Sequence, residues 1–226
     1  MNVITIERKV LAKNDQVAAE NRAAFAEHRL FVVNIVSSPG AGKTSLLERS
    51  LETLKGSLGV AVVEGDVQTD LDARRVARYG VPAVQIVTHG GCHLEAKLVQ
   101  DAIAALDLAA LDLLVIENVG NLVCPAEFDL GEHDKVMLLS VTEGHDKPRK
   151  YPVMFHVARA MVLNKIDLLP HLDFDVELAE RDARALNLDL EVLRVSCRSG
   201  EGLDAWYAWI EGRIARVRAS RPTMKV

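Results

Sequence analysis

Apolar residues return every seven positions over residues 3–25: Val3, Val10, Val17 and Ala24, with Ile4, Leu11, Ala18 and Phe25 beside them. On a helix this spacing draws one stripe. Such a helix packs on its own domain or helps to join two copies. From residue 30 the pattern changes to short continuous apolar runs at 31–37, 60–64, 83–87, 112–118, 135–141, 160–164 and 190–195. Between them, segments 44–54, 70–79 and 93–106 read as amphipathic helices. A last helix over 202–218 sets Leu203, Tyr207, Ile210, Ile214 and Val217 at three- and four-residue steps. This alternation predicts an α/β fold of three layers, a mostly parallel sheet with helices on both faces. No repeat, low-complexity tract or linker interrupts it. The predicted organisation is an N-terminal helical extension, 1–29, and one domain, 30–226.

Composition narrows the picture. Of 226 residues, 49% are apolar but only 4% aromatic, so the core must be built from Val, Leu, Ile and Ala, as suits a buried parallel sheet. Twenty-seven basic against 32 acidic residues leave a formal charge of −5, which argues against broad attraction to nucleic acid or membranes. No apolar run reaches the roughly 18 residues that span a bilayer, and the opening MNVITIERK has no secretory pattern. A cytoplasmic location is expected. Disulfides are then not expected among Cys92, Cys124 and Cys197, and each thiol needs another explanation.

The first apolar run leads into Ser38-Pro39-Gly40-Ala41-Gly42-Lys43-Thr44-Ser45 and then a helical pattern. Strand, glycine turn and helix in this order make a phosphate loop and place the chain among P-loop NTPases. Gly40 and Gly42 let backbone N–H groups turn inward on an anion, and the helix N-terminus adds partial positive charge. Lys43 would reach the outer phosphates and the Thr44 hydroxyl would ligate Mg²⁺. Ser37 stands where the usual pattern has a glycine.

The loop alone does not separate ATP from GTP. Asn164-Lys165-Ile166-Asp167 does, because it follows a predicted strand, where α/β sheets hold ligands. The Asp167 carboxylate can accept from guanine N1–H and the exocyclic amine, and adenine offers neither donor there. Charge-assisted bonds of this kind contribute about 1.5–3 kcal/mol each. Ser196-Cys197-Arg198 lies where a second base-contacting loop is expected, which favours a packing role for Cys197 over metal ligation.

The run 112–118 ends in Glu117-Asn118-Val119-Gly120, a magnesium-side carboxylate followed by a switch glycine. Segment 64–72 carries Asp66, Asp70 and Asp72, candidates for Mg²⁺ coordination and water positioning. Helix capping is the competing reading for Asp66 and Asp70. Lys43, Asp66, Asp72 and Gly120 form the candidate catalytic set. Asn121 stands where a water-orienting glutamine could be, so slow hydrolysis is expected.

Cys92-His93, after Gly90-Gly91 and at the predicted opening of a helix, and Cys124, four residues past Gly120, suit Zn²⁺, Ni²⁺ or Cu⁺. Their spacing matches no closed metal motif, so incidental thiols remain the alternative. Position favours the metal reading, since a ligand next to the switch would tie nucleotide state to metal geometry.

Taken together, Ser37–Thr44, Gly91-Cys92-His93-Leu94, Glu117-Asn118-Val119-Gly120-Asn121-Leu122-Val123-Cys124-Pro125 and Asn164–Asp167 closely resemble the HypB family, nickel-incorporation GTPases of nickel–iron hydrogenase maturation. The resemblance covers residues 10–218. It implies a G domain of the SIMIBI class that forms a homodimer with GTP and hydrolyses GTP to GDP with Mg²⁺. It also implies a Ni²⁺ or Zn²⁺ site at Cys92, His93 and Cys124, and magnesium partners at Thr44, Asp72 and Glu117. Lys150 maps onto a lysine that contacts nucleotide across the dimer. The implied partners are a small zinc-containing nickel chaperone of the HypA type and the hydrogenase large subunit. Some members carry a cysteine-rich N-terminal motif or a histidine-rich tract; neither stands in this sequence, so a storage role is not expected. Among rivals, urease-type metal GTPases carry a Cys-Pro-His motif that is absent here, and Asn164–Asp167 disfavours a P-loop kinase.

Overall fold

The computed structural model describes residues 6–66 and 75–220. Helix α1 (Ile6–Glu27) precedes strands β1 (Phe31–Ser37), β2 (Val60–Asp66), β3 (Ala83–Val87), β4 (Leu113–Glu117), β5 (Asp134–Ser140), β6 (Ala160–Asn164) and β7 (Glu191–Arg194). Seven strands form one sheet in the order β3-β2-β4-β1-β5-β6-β7, and every pairing is parallel. Helix α2 (Lys43–Leu54) follows β1 and α3 (Ala96–Ile103) follows β3; short α4 (Cys124–Glu127) lies between β4 and β5. Short α5 (Lys147–Lys150) and α6 (Pro152–Val157) join β5 to β6, α7 (Val176–Leu186) precedes β7, and α8 (Leu203–Ala219) closes the described chain.

All seven residues of β1 are buried, which explains why the strands read as continuous apolar runs. Alternate side chains serve opposite layers. Phe31, Val33 and Ile35 pack with Leu46, Leu51, Trp206 and Ile210 of α2 and α8. Val32 faces Phe25, Val99 and Ile103 of α1 and α3, and Val36 faces Met154, Phe155 and Ala179 of α6 and α7. Trp206 is almost wholly enclosed and donates Nε1–H to Ser50 Oγ at 2.8 Å. Enclosing a large apolar side chain contributes about 1.5–3 kcal/mol, and this one also keeps its polar atom satisfied.

Two sequence expectations change, and the structure adds one helix that the pattern does not show. The stripe of α1 is rotated: Asn14, Ala18, Asn21 and Phe25 face inward, while Val10 is 43% exposed. The helix packs on its own chain, with Asn14 Nδ2 donating to Asp129 O (2.7 Å) and Asn21 Nδ2 to Ala96 O (2.9 Å) and Leu130 O (3.0 Å). Helix α3 starts at Ala96, so Cys92 and His93 lie on the preceding loop rather than opening the helix. Helix α7 escaped the pattern because its buried residues are Val176, Ala179, Glu180 and Ala183, small or charged except for one. The helix expected over 70–79 falls partly outside the described residues; its end, 75–80, is a helical turn with Tyr79 N bonded to Val76 O at 2.9 Å.

Candidate functional site

The chemistry-bearing residues gather at the carboxyl end of the sheet. Between β1 and α2 the chain turns through Gly40 (φ +78°) and Gly42 (φ +104°), left-handed values that favour glycine. At Gly42 a Cβ would also stand 2.5 Å from the Asn164 amide nitrogen, so glycine is required there twice over. Lys43 Nζ donates to Ser37 Oγ at 3.1 Å, which gives the serine in the usual glycine place a contact with the phosphate lysine. A cleft of about 280 Å³ is lined by Gly42, Ser45, Asn164, Lys165, Asp167, Leu168, Cys197 and Arg198. A second, of about 320 Å³, is lined by Gly40, Gly42, Lys43, Thr44, Ser45, Arg75, Glu117 and Lys165. Gly42, Ser45 and Lys165 border both, so the two clefts adjoin, the first the candidate base compartment and the second the candidate phosphate compartment.

The end of β6 organises the first compartment. Asn164 Nδ2 donates to Ala41 O at 3.0 Å, while its Oδ1 accepts from Lys165 N (2.7 Å) and Cys197 N (3.2 Å). One buried amide thus joins the phosphate loop, the base motif and the 196–198 loop. Lys165 adopts φ +64° and sends Nζ across to Gly40 O at 2.7 Å. Asp167 Oδ1 accepts the Ser196 hydroxyl at 2.5 Å, which orients the carboxylate. Burial pushes the Cys197 thiol up to about 11, so it stays protonated and serves as a wall. The sequence reading missed Arg49, which ties α2 to this loop by donating to Cys197 O (2.9 Å) and Arg198 O (3.3 Å).

In the phosphate compartment, Thr44 Oγ1 donates to Glu117 Oε1 at 3.1 Å. A hydroxyl beside a buried carboxylate is a hard-oxygen pair that fits Mg²⁺. Gly120 packs against Pro39, and a Cβ there would meet Pro39 Cγ at 3.1 Å and Cα at 3.3 Å. Asp66 is the last residue of β2, in register with Val87. Asp72 lies outside the described residues. Lys150 is exposed and pairs with Asp146 at 2.7 Å. The lysine placed against the phosphate loop of its own chain is Lys147, whose Nζ donates to Ser38 Oγ at 3.0 Å.

Cys92, His93 and Cys124 converge from two loops. After β3 the chain turns through His89 and Gly90, both at positive φ, closed by Thr88 Oγ1 donating to Gly91 O at 2.8 Å. This turn presents Cys92. Cys124 is the first residue of α4, with Pro125 next in a position that suits a helix start. The Cys92 and Cys124 sulfurs are 2.9 Å apart, and Cys92 Sγ lies 3.6 Å from His93 Nδ1. All three ligand atoms fall within 4.8 Å of one another. His93 Nε2 is buried with no hydrogen-bond partner among the described residues, and its ring centroid lies 3.9 Å from that of Phe128 with the planes tilted by 35°. Burial lowers the His93 pKa, which favours the neutral imidazole a metal requires. The contact with Cys92, and then burial, raise the Cys124 thiol. Two sulfurs and an imidazole nitrogen fit a borderline or soft divalent ion.

Among the described residues no helix is long and apolar enough to cross a membrane. The model of the CobW/HypB/UreG nucleotide-binding domain matches residues 31–194, from β1 through β7. The hydrogenase maturation factor HypB of Azotobacter vinelandii is 62% identical over 218 residues, which are 96% of this chain and 72% of that protein. The crystal structure of HypB from Helicobacter pylori in complex with nickel is 37% identical with a TM-score of 0.87, covering 95% of this chain and all of that one. The structure of the hydrogenase maturation factor HypB from Archaeoglobus fulgidus gives 37% and 0.84, over 90% and 99% of the two chains.

Proposed function

The chain belongs to the CobW/HypB/UreG family, and from that premise we propose that it is a GTP-hydrolysing metallochaperone that binds nickel and supports its insertion into hydrogenase during maturation. One observation carries the reading: the Cys92–His93–Cys124 cluster sits beside the loop whose glycine packs on the phosphate loop. Guanine lies in the cleft closed by Asp167, and the phosphates follow Gly40–Thr44. Lys43 holds the outer phosphates. Thr44 and Glu117, with Asp72, supply oxygens for Mg²⁺, which neutralises charge on the phosphates when bound. Asp66 and Asp72 orient the attacking water, whose oxygen bonds to the γ-phosphorus as the bond to the β-phosphate oxygen breaks. With Asn121 at the position next to the switch glycine, hydrolysis is slow.

The dimer forms with GTP, with Lys150 contacting nucleotide across it. Nickel, or zinc in its place, is the cargo held by Cys92, His93 and Cys124. The exchange partners are a small zinc-containing chaperone of the HypA type and the hydrogenase large subunit, in the cytoplasm. Equilibrium dialysis of nickel against protein loaded with GDP or with a non-hydrolysable GTP analogue tests this. Affinities are expected to differ by about 5- to 150-fold, the usual range of coupling between sites. Cys92→Ala and Cys124→Ala are expected to lose tight binding. Equal affinity in the two nucleotide states, or wild-type binding in both variants, overturns the proposal.

A further inference from the structure

The metal ligands lie on two loops, and only one is covalently continuous with the switch. Cys124 follows Gly120 along the chain, whereas Cys92 and His93 come from the loop after β3. Two asparagine side chains join that loop to the switch, one on each side of His93. Asn121 Nδ2 donates to Cys92 O at 3.1 Å, and Leu94 N donates to Asn118 Oδ1 at 3.2 Å. The geometry points to Asn121 as the positioning residue that moves Cys92 and His93 with the switch, about a pivot fixed by Asn118 and Leu94. This rests on the function proposed above and names the element of control within it.

The two asparagines are held very differently. Asn118 is 1% exposed, and its Oδ1 also accepts from Val119 N at 2.9 Å. Its Nδ2 donates to Asn34 Oδ1 (3.2 Å), and Asn34 Nδ2 donates to Glu132 Oε1 (3.0 Å). Glu132 Oε2 accepts from Leu130 N at 2.7 Å. Lys135 lies 3.5 Å from Glu132 and donates to Pro125 O (2.7 Å) and Phe128 O (3.0 Å), holding α4 beyond Cys124. Leu94 itself is fully buried, and a Cβ on Gly65 would meet it at 2.9 Å. A buried network with its partners matched resists displacement, because each broken bond leaves a polar group without water.

Asn121 is partly exposed and stands next to Gly120, which lies against Pro39 of the phosphate loop. Its own Oδ1 accepts from Val123 N at 3.0 Å, so the side chain travels with its loop. A shift at Gly120 therefore pulls the Cys92 carbonyl while Leu94, two residues on, stays in place. The outcome is a rotation of Cys92–His93 relative to Cys124, which changes bite angle as well as separation.

The test compares nickel dialysis in GDP and in the non-hydrolysable analogue for wild type, Asn121→Asp and Asn121→Gln, so the hydrolysis rate does not enter. Asp keeps the acceptor for Val123 N and removes the amide donor to Cys92 together with its contact to the Cys124 thiol, and Gln keeps an amide donor. For Asn121→Asp the ratio of affinities is expected to fall to within about twofold of one, and Asn121→Gln should restore part of it. The nickel–thiolate charge-transfer band should shift between nucleotide states in wild type but not in Asn121→Asp, a signature that lost stability alone does not give. A wild-type ratio and band shift in Asn121→Asp overturn the link and leave the function standing. No nucleotide effect in wild type overturns the function and the link with it.

Discussion

The proposed base selection rests on one carboxylate and what holds it. Ser196 donates its hydroxyl to Asp167 at 2.5 Å, and Asn164 ties the 196–198 loop to the phosphate loop, so the carboxylate is already oriented for the base proposed there. Replacing Asp167 with Asn removes the charge-assisted bonds and turns one acceptor into a donor. GTP affinity is expected to fall at least about tenfold, since each such bond contributes about 1.5–3 kcal/mol, while xanthine nucleotides gain. Competition binding with GTP and XTP measures both, and unchanged GTP affinity refutes the base assignment. The place of Asp167 at the cleft is legible because four residues in fixed order after a strand carry the signal. That of Lys147 is not, because Lys147 and Lys150 occupy one short run. The turn of α5 decides which of them faces Ser38.

Elements here are placed by polar side chains that a hydrophobic pattern discards. Glu95, at the cap of α3, makes no side-chain capping bond; instead Asn14 Oδ1, on α1, accepts from Ala96 N at 2.8 Å. A cap delivered from 82 positions away leaves no local trace, which is why His93 looked like the start of that helix. The same asparagines rotate α1, since apolar spacing assigns polar positions to solvent. The buried strands, by contrast, were readable almost to the residue, because both faces of the sheet demand apolar side chains. Replacing Asn21 with Ala leaves Ala96 O and Leu130 O without that donor. Urea unfolding should show a loss of about 1–3 kcal/mol, the cost of stranding buried polar groups. Val10→Ser, on the exposed side of α1, should stay within about 0.5 kcal/mol. Equal effects from the two would mean the buried asparagines do not anchor the helix.

At the scale of the whole molecule, the carboxyl end of the sheet holds both candidate sites on either side of β1. The base compartment belongs to β6 and the loop after β7, and the metal ligands follow β3 and β4, with the phosphate loop between. The coupling network runs from Asn118 through Asn34 on β1 to Glu132 and Lys135 at the start of β5, and the sequence hid it because Asn34 and Asn118 resemble chance polar interruptions in apolar runs. Sedimentation velocity should show the proposed dimer with the GTP analogue and a larger monomer fraction with GDP. Lys150→Ala should weaken the dimer while leaving monomer folding intact, because its partner Asp146 is exposed. A monomer in both nucleotides contradicts the dimer proposal.

The strand order has a practical consequence. In the proposed nucleotide pose, GDP and GTP present the same groups to β6 and β7 and differ only at the terminal phosphate, on the Glu117 side of the second cleft. On that proposal the base is an address and the terminal phosphate the message, read by separate halves of one sheet. An Asp167→Asn protein should obey the same instructions delivered by xanthine nucleotides. Cells full of GTP would then leave it silent, and one supplied triphosphate would set the moment at which its metal is released.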